Sequence, residues 1–122
     1  MAGDQKTDDA FDLRFGGIRR LLGTAGVDVL RRSHVCVIGI GGVGSWVVEA
    51  LARSALGALT VIDWDDVCIT NVNRQLHALD GDIGRPKVAV MAERVAKINP
   101  DCRFRVRHEF FTEANAGAVL DQ

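Results

Sequence analysis

A chain of 122 residues has room for one domain built on a single core. Its 48% hydrophobic and 25% charged residues are ordinary for a globular protein in water, and no apolar run approaches a membrane span. The formal net charge of −1 excludes a global pull towards nucleic acid or an anionic membrane, and residues 1–9 read as polar and acidic rather than as a signal peptide.

Phe11, Phe15, Ile18 and Leu22 recur at helical spacing and predict an amphipathic helix over about 9–22, weakened by Gly16-Gly17. Thr24 is placed to cap a second short helix ending near Arg32. Val35 to Ile40 is a continuous apolar run stopped by glycine, the pattern of a strand buried on both faces. Ser45 to Ser54 predicts a helix packed on a sheet, with Gly57 as its left-handed stop. Leu59 to Ile62 is a second buried strand, carrying Asp63 at its carboxyl end.

A polar connection runs from Trp64 to Arg85, and loops of that length are usually functional. Pro86 then opens a helix with the stripe Val88, Met91, Val95 and Ile98, closed by Asn99-Pro100. Arg103 to Arg107 is a third strand, and Thr112 caps a last helix from about Glu113. Strand and helix alternate three times, which predicts an α/β fold with a Rossmann-like parallel sheet and flanking helices. Residues 1–32 form an N-terminal helical segment and 33–122 a nucleotide-binding half-domain. Three strands leave an unpaired edge, so the half-domain is expected to be cut from a longer chain or completed by another subunit.

The residues that carry chemistry cluster in the middle of the chain. Gly39, Gly41 and Gly44 fit GxGxxG between a strand and a helix, where glycines permit a tight turn, close approach to phosphate and close helix packing. The helix start at Ser45 adds free N–H groups and partial positive charge. Asp63 stands where an acid accepts ribose hydroxyls. Nucleotide binding follows, with NAD as the default from this loop alone.

The next segment argues for a triphosphate. Asn71, Asn73, Arg74 and Gln75 form a dense set of donors, against the bland reading of an Asn-rich surface turn. Lys87 sits in the first turn of its helix, where a cation opposes the dipole by about 0.3–1 kcal/mol. It reads as a phosphate ligand, the alternative being a solvated lysine. Asp65 and Asp66 serve either Mg²⁺ or ribose, or are solvated loop carboxylates.

Elsewhere the signals are weaker. Arg14, Arg19 and Arg20 read as a solvated helix face or as a source of an arginine acting in a neighbouring subunit. Arg103, Arg105 and Arg107 alternate along one strand face, as a solubilising stripe or a contact for RNA phosphate. Cys68, between Val67 and Ile69, is expected to be a packed thiol rather than a nucleophile. Cys36, Cys68 and Cys102 form no CxxC pair and fit a reducing cytosol; with His34, His77 and His108 scattered too, no local zinc ligand pair exists.

Read together, Arg14-Phe15-Gly16-Gly17, the loop Gly39–Gly44, Asp63 with Asp65, Asn71-x-Asn73-Arg74-Gln75 and Lys87 resemble the ThiF/MoeB/HesA-like adenylyltransferases, relatives of ubiquitin-activating enzymes. The resemblance covers almost the whole chain from Arg14. Gly44-Ser45-Trp46, Asn73-Arg74-Gln75-Leu76-His77-Ala78-Leu79 and Met91-Ala92-Glu93-Arg94 are similar to the tRNA threonylcarbamoyladenosine dehydratase branch of that family.

That resemblance implies ATP and Mg²⁺ as cofactors. It assigns Gly39, Gly41, Gly42, Gly44 and Asp63 to the adenosine and ribose, and counts Asp65 and Gln75 among the nucleotide-binding residues. Asn71, Asn73, Arg74 and Lys87 go to the phosphates. Arg14, supplied across a homodimer, joins Arg74 and Lys87 as catalytic. No metal ligand is assigned in this chain, because the family's further metal-binding aspartate lies beyond Gln122. The implied reaction is adenylylation of the carboxylate of threonylcarbamoyladenosine in a tRNA anticodon loop, then ring closure with loss of AMP. A cytoplasmic setting and cysteine-desulfurase or sulfur-acceptor partners are implied as well. The alternatives are adenylylation of a ubiquitin-like sulfur carrier's C-terminus, and an NAD oxidoreductase or an inactive nucleotide-binding module.

Overall fold

The computed structural model describes residues 2–121, with side chains from Asp9 onward. Three parallel strands, β1 (His34–Ile38), β2 (Ala58–Ile62) and β3 (Arg103–Arg107), lie side by side in that order. Val37 aligns with Val61 and Val61 with Val106, while Thr60 aligns with Cys36 on one side and Arg105 on the other. Because side chains alternate across a strand, this register puts Val35, Val37, Leu59, Val61 and Phe104 on one face. The helices α2 (Gly44–Ala52) and α3 (Lys87–Ile98) cover that face, as crossovers of parallel strands require. Val48, Ala52, Val88, Met91 and Val95 meet the strands in the main core. Each valine and methionine among them contributes roughly 1.5–3 kcal/mol on leaving water.

The expected strand buried on both faces is corrected. β1 stops at Ile38, and only Val37 of its residues is buried, because β1 lies at an edge of this sheet with Ile38 half exposed. β2, between two neighbours, is buried at all five positions. Ile40 is fully buried too, but it belongs to the turn after the strand.

The first helical region, α1 (Ala2–Arg32), leaves helical geometry at Phe15 and again at Gly23, whose φ is 79°. The split before Thr24 is therefore real. Phe11 and Phe15 are buried with Val27 and Ala55 in a satellite cluster, and the Arg31 guanidinium lies 3.8 Å over the Phe11 ring. Leu22, the last position of the predicted stripe, is exposed beside the Gly23 break.

A second correction concerns the turn after α2. The left-handed residue is Ala55, with φ 67°, and not Gly57. Glycine is needed at 57 for a different reason: a β-carbon there would lie 1.7 Å from the Arg31 carbonyl oxygen. The final helix, α4 (Glu113–Leu120), is capped as predicted, with Thr112 accepting from the Asn115 N–H at 3.3 Å.

The polar connection closes on itself. Asp66 bridges to Pro86, Val67 N–H donates to Arg85 O at 2.8 Å, and Gly84 N–H to Val67 O at 2.7 Å. Val67 and Ala78 bury themselves against Val90 of α3, giving the segment a small core of its own. A 22-residue loop thus folds down beside the carboxyl end of the sheet, where open α/β sheets bind ligands.

Candidate nucleotide-binding site

The glycine loop is shaped by what surrounds it. Gly39 has φ 82°, a conformation that only glycine adopts without strain. A β-carbon on Gly44 would fall 1.8 Å from Gly39 O, so the helix starts in contact with the turn. Gly39 N–H continues the sheet by donating to Ile62 O at 2.9 Å, and Gly41 O accepts from Ser45 through both its N–H and its hydroxyl. The N–H groups of Gly41, Gly42 and Val43 donate to no protein group among the described residues. α2 has no side-chain cap and no acid in its first turn. Three free donors and the positive end of a helix therefore lie together in one short turn, an arrangement suited to an anion.

Asp63 organises this loop directly. One carboxylate oxygen accepts from Ile40 N–H at 2.8 Å and the other from Asp65 N–H at 2.7 Å. Any ribose hydroxyl reaching Asp63 shares oxygens that already hold the backbone. A crevice of about 260 Å³ opens beside it, lined by Ile38, Gly39, Asp63, Trp64, Asp65 and Phe110 among others. Trp64 stacks on His108, and its carbonyl lies 2.8 Å from His108 Nε2.

The polar segment supplies the cations. Arg74 lies over the loop: a β-carbon on Gly42 would meet its side chain at 3.7–3.9 Å. Its guanidinium donates to Thr70 O at 3.1 Å and to Asn73 Oδ1 at 2.9 Å, so Asn73 orients Arg74. Gln75 approaches Gly41, and its buried Oε1 has no partner among the described residues. Asn71 Oδ1 accepts from Cys68 N–H at 2.8 Å and so shapes the 3-10 turn Ile69–Asn71.

Lys87 is not a solvated lysine. It is 5% exposed, with its Nζ 3.8 Å from Asp65 Oδ2. Asp65, in turn, accepts from Lys87 N–H through its own carbonyl at 3.1 Å. The glycine loop, Asp63, Asp65, Asn71, Asn73, Arg74, Gln75 and Lys87 are thus brought to one end of the sheet.

Arg14 is not with them. It donates to Ile98 O at 3.0 Å, at the opposite end of α3 from Lys87. Cys68 also departs from expectation: its thiol is exposed and accepts from the Thr70 hydroxyl at 3.2 Å, which with backbone donors holds it below the ordinary thiol range. Along β3, Arg107 pairs with Glu109 at 3.1 Å.

Three residues of this arrangement were not singled out for roles in the sequence. Ser45 accepts from Leu76 N–H at 3.3 Å and joins loop to polar segment. Trp46 donates to Arg74 O at 2.9 Å. His77, flanked by Leu76 and Ala78, has Nε2 2.8 Å from Ile40 O. The signals for them were their places in the motifs Gly44-Ser45-Trp46 and Asn73-Arg74-Gln75-Leu76-His77-Ala78-Leu79, which do not say what each side chain bonds.

No three histidine, cysteine or acidic side chains converge among the described residues. With both Asp63 oxygens engaged and Asp65 facing Lys87, these side chains do not form a cage for Mg²⁺. No described helix is long and apolar enough to cross a membrane.

Comparison with known proteins gives the site a context. The tRNA threonylcarbamoyladenosine dehydratase of Haemophilus influenzae is 54% identical over 114 residues, covering 93% of this chain and 44% of that protein. A crystal structure of the Escherichia coli tRNA N6-threonylcarbamoyladenosine dehydratase in complex with ATP superposes with a TM-score of 0.91 at 51% identity, covering 93% of this chain and 46% of that one. The molybdopterin-synthase adenylyltransferase of Salmonella typhimurium is more distant, 37% identical over 75 residues, covering 62% of this chain and 30% of that protein. The chain thus spans less than half the length of these relatives. Residues 17–122 match the ThiF family, and the chain belongs to it.

Proposed function

We propose that this chain carries the ATP-binding half of an adenylyltransferase acting on threonylcarbamoyladenosine in a tRNA anticodon loop. Residues 33–122 are the nucleotide-binding half-domain and residues 1–32 its N-terminal helical segment. The observation that carries the reading is Arg74 lying over a glycine loop with three unpaired N–H groups, while buried Lys87 faces Asp65 at the same end of the sheet. Two cations and a helix N-terminus suit a triphosphate better than the diphosphate bridge of NAD.

The residues divide the work as follows. The loop N–H groups, Arg74 and Lys87 hold the phosphates and stabilise the charge that moves onto pyrophosphate. Asp63 and Asp65 border the ribose, and Asn71, Asn73 and Gln75 shape and complete the phosphate wall. A carboxylate oxygen of the substrate attacks the α-phosphorus, the bond to the bridging oxygen breaks, and pyrophosphate leaves. The mixed anhydride then meets the modification's own carbamoyl group, which closes a ring as AMP departs, a net loss of water. Tethered attack has effective molarities up to about 10⁵–10⁸ M, so no protein nucleophile is required, and Cys68 has no step. Mg²⁺ would accompany ATP, and no residue of this chain is assigned to hold it.

Arg14 fits a role across a homodimer, because within one chain α3 separates it from Lys87 by roughly 18 Å of helix. The cytoplasm is the setting in which such a tRNA substrate is met. Cysteine-desulfurase or sulfur-acceptor proteins are further partners of this reading, to be sought by co-purification.

ATP–pyrophosphate exchange is the direct test. Threonylcarbamoyl-modified tRNA should support it, and alanine at Arg74 or Lys87 should lower it by about 100-fold or more. The likeness to molybdopterin-synthase adenylyltransferase favours a second reading, in which a ubiquitin-like carrier's C-terminal carboxylate is activated. Exchange with such a carrier and none with tRNA would select it. Calorimetry showing NAD⁺ bound more tightly than ATP would overturn both.

A further inference from the structure

Ile40, at the start of the glycine loop, is held from two sides. Its N–H donates to Asp63 Oδ2 at 2.8 Å, and its carbonyl oxygen lies 2.8 Å from His77 Nε2. His77 reaches this point from the polar connection, 37 residues further along the chain, and only 1% of it is exposed. A carbonyl oxygen can only accept, so the hydrogen sits on Nε2 and the Ile40 bond fixes the tautomer. Nδ1 is then bare, and it is buried without a partner among the described residues. Burial and the nearby Lys87 push the imidazole below its ordinary pKa, which keeps this neutral form in place at pH 7.

The consequence follows from the planarity of the peptide. In a trans unit the C=O and the next N–H point in opposite directions. Anchoring Ile40 O on His77 therefore turns Gly41 N–H away from His77, into the group of free N–H donors with Gly42 and Val43. Without the anchor, a peptide followed by glycine can rotate, since glycine accepts both halves of backbone space. A rotated Ile40–Gly41 unit would aim a carbonyl oxygen at an anion.

We propose that His77 is a positioning residue for the phosphate site: its Nε2–H locks the Ile40–Gly41 peptide in the orientation that presents N–H groups to phosphate. The proposal rests on the nucleotide reading above. It assigns His77 to phosphate recognition and not to the nucleoside.

That distinction gives the test. Dissociation constants for adenosine, AMP and ATP are measured by calorimetry on the wild type, His77→Leu and His77→Gln. His77→Leu should weaken AMP and ATP by about 10-fold or more and leave adenosine within about 2-fold, the loss of one hydrogen bond expressed only on the phosphate. His77→Gln, whose amide can donate from the Nε2 position, should restore AMP to within about 3-fold of wild type. A general loosening of structure would instead weaken all three ligands together, and that result overturns the inference while leaving nucleotide binding intact. A wild type that binds neither AMP nor ATP would sink the functional reading, and this inference with it. If His77→Leu does not fold, the wild type still decides: ¹⁵N chemical shifts must show a protonated Nε2 and bare Nδ1 at neutral pH. The opposite tautomer overturns the proposal.

Discussion

The indole N–H of Trp46 donates to the backbone carbonyl of Arg74 at 2.9 Å, fastening the first turn of α2 to a residue 28 positions later. The main chain of Arg74 is fixed by this bond, and its guanidinium by Thr70 and Asn73. Arg74 Nε and Nη2 remain without a protein partner among the described residues, and Nε would lie 3.9 Å from a β-carbon on Gly42. Trp46→Phe removes the donor while keeping most of the ring. It should cost about 1 kcal/mol of stability and weaken ATP binding by about 3–10-fold. Calorimetry on the two proteins checks this, and equal ATP affinities would mean that the bond does not position Arg74.

Gly44 and Gly41 should separate folding from binding. Alanine at Gly44 drives a β-carbon against Gly39 O, a clash with backbone that cannot rotate away. Gly44→Ala should lose more than about 3 kcal/mol and its nucleotide binding together. A β-carbon on Gly41 meets only Gln75 at 3.8–4.0 Å, an ordinary contact. Gly41→Ala should therefore keep a melting temperature near wild type and yet bind ATP poorly, because the methyl group occupies space on the phosphate side.

Asp63→Asn tests the double duty of that side chain. An amide has one acceptor oxygen where the carboxylate has two, so either Ile40 N–H or Asp65 N–H goes unanswered. About 1–3 kcal/mol of stability should be lost even without nucleotide. Urea unfolding of the ligand-free protein is the measurement, and an unchanged midpoint would show that the two bonds carry no weight.

Acid should destabilise the fold through two groups. Glu49 is nearly buried; burial alone would raise its pKa, but hydrogen bonds from Arg94 and Arg53 outweigh it and hold the carboxyl low. A depressed folded pKa means stability that is present above the unfolded value, near 4.3, and lost as pH falls through the folded one. His77 is likewise depressed, so the unfolded chain takes up its proton first, and stability begins to fall below about pH 6.5. Glu49→Gln should cost about 1–2 kcal/mol at pH 7, discounted for the partial exposure of both arginines, and less at pH 3. His77→Gln should flatten the decline that sets in below about pH 6.5. Melting curves against pH check both.

Local pattern made much of this legible. The order of elements, the Val88-Met91-Val95 stripe and the Thr112 cap depend on residues within a few positions of one another, and all appear in the structure. What the sequence hid depends on distant neighbours. The exposed face of β1 follows from which strands pair with it. The need for glycine at 57 comes from Arg31, and the burial of Lys87 from a loop folded over it. Cys68 shares an apolar triplet with Val67 and Ile69, but only Val67 turns inward. The clustering of Asn73, Arg74 and Lys87 was readable as chemistry; the histidine that steadies the loop beneath them was not, because its partner is a main-chain carbonyl.

The contact at Gly57 reaches beyond its own turn. Its N–H donates to Leu30 O at 3.0 Å, Ala58 N–H donates to Ser33 O at 3.1 Å, and no room remains for even a methyl group. The end of α1 is in effect welded to the foot of β2. The head of that strand is Ile62, next to Asp63, so one stiff rod links the weld to the crevice. A larger residue at 57 would act as a wedge in the frame. It would lever α1, and Arg14 with it, against the sheet without touching any side chain of the site.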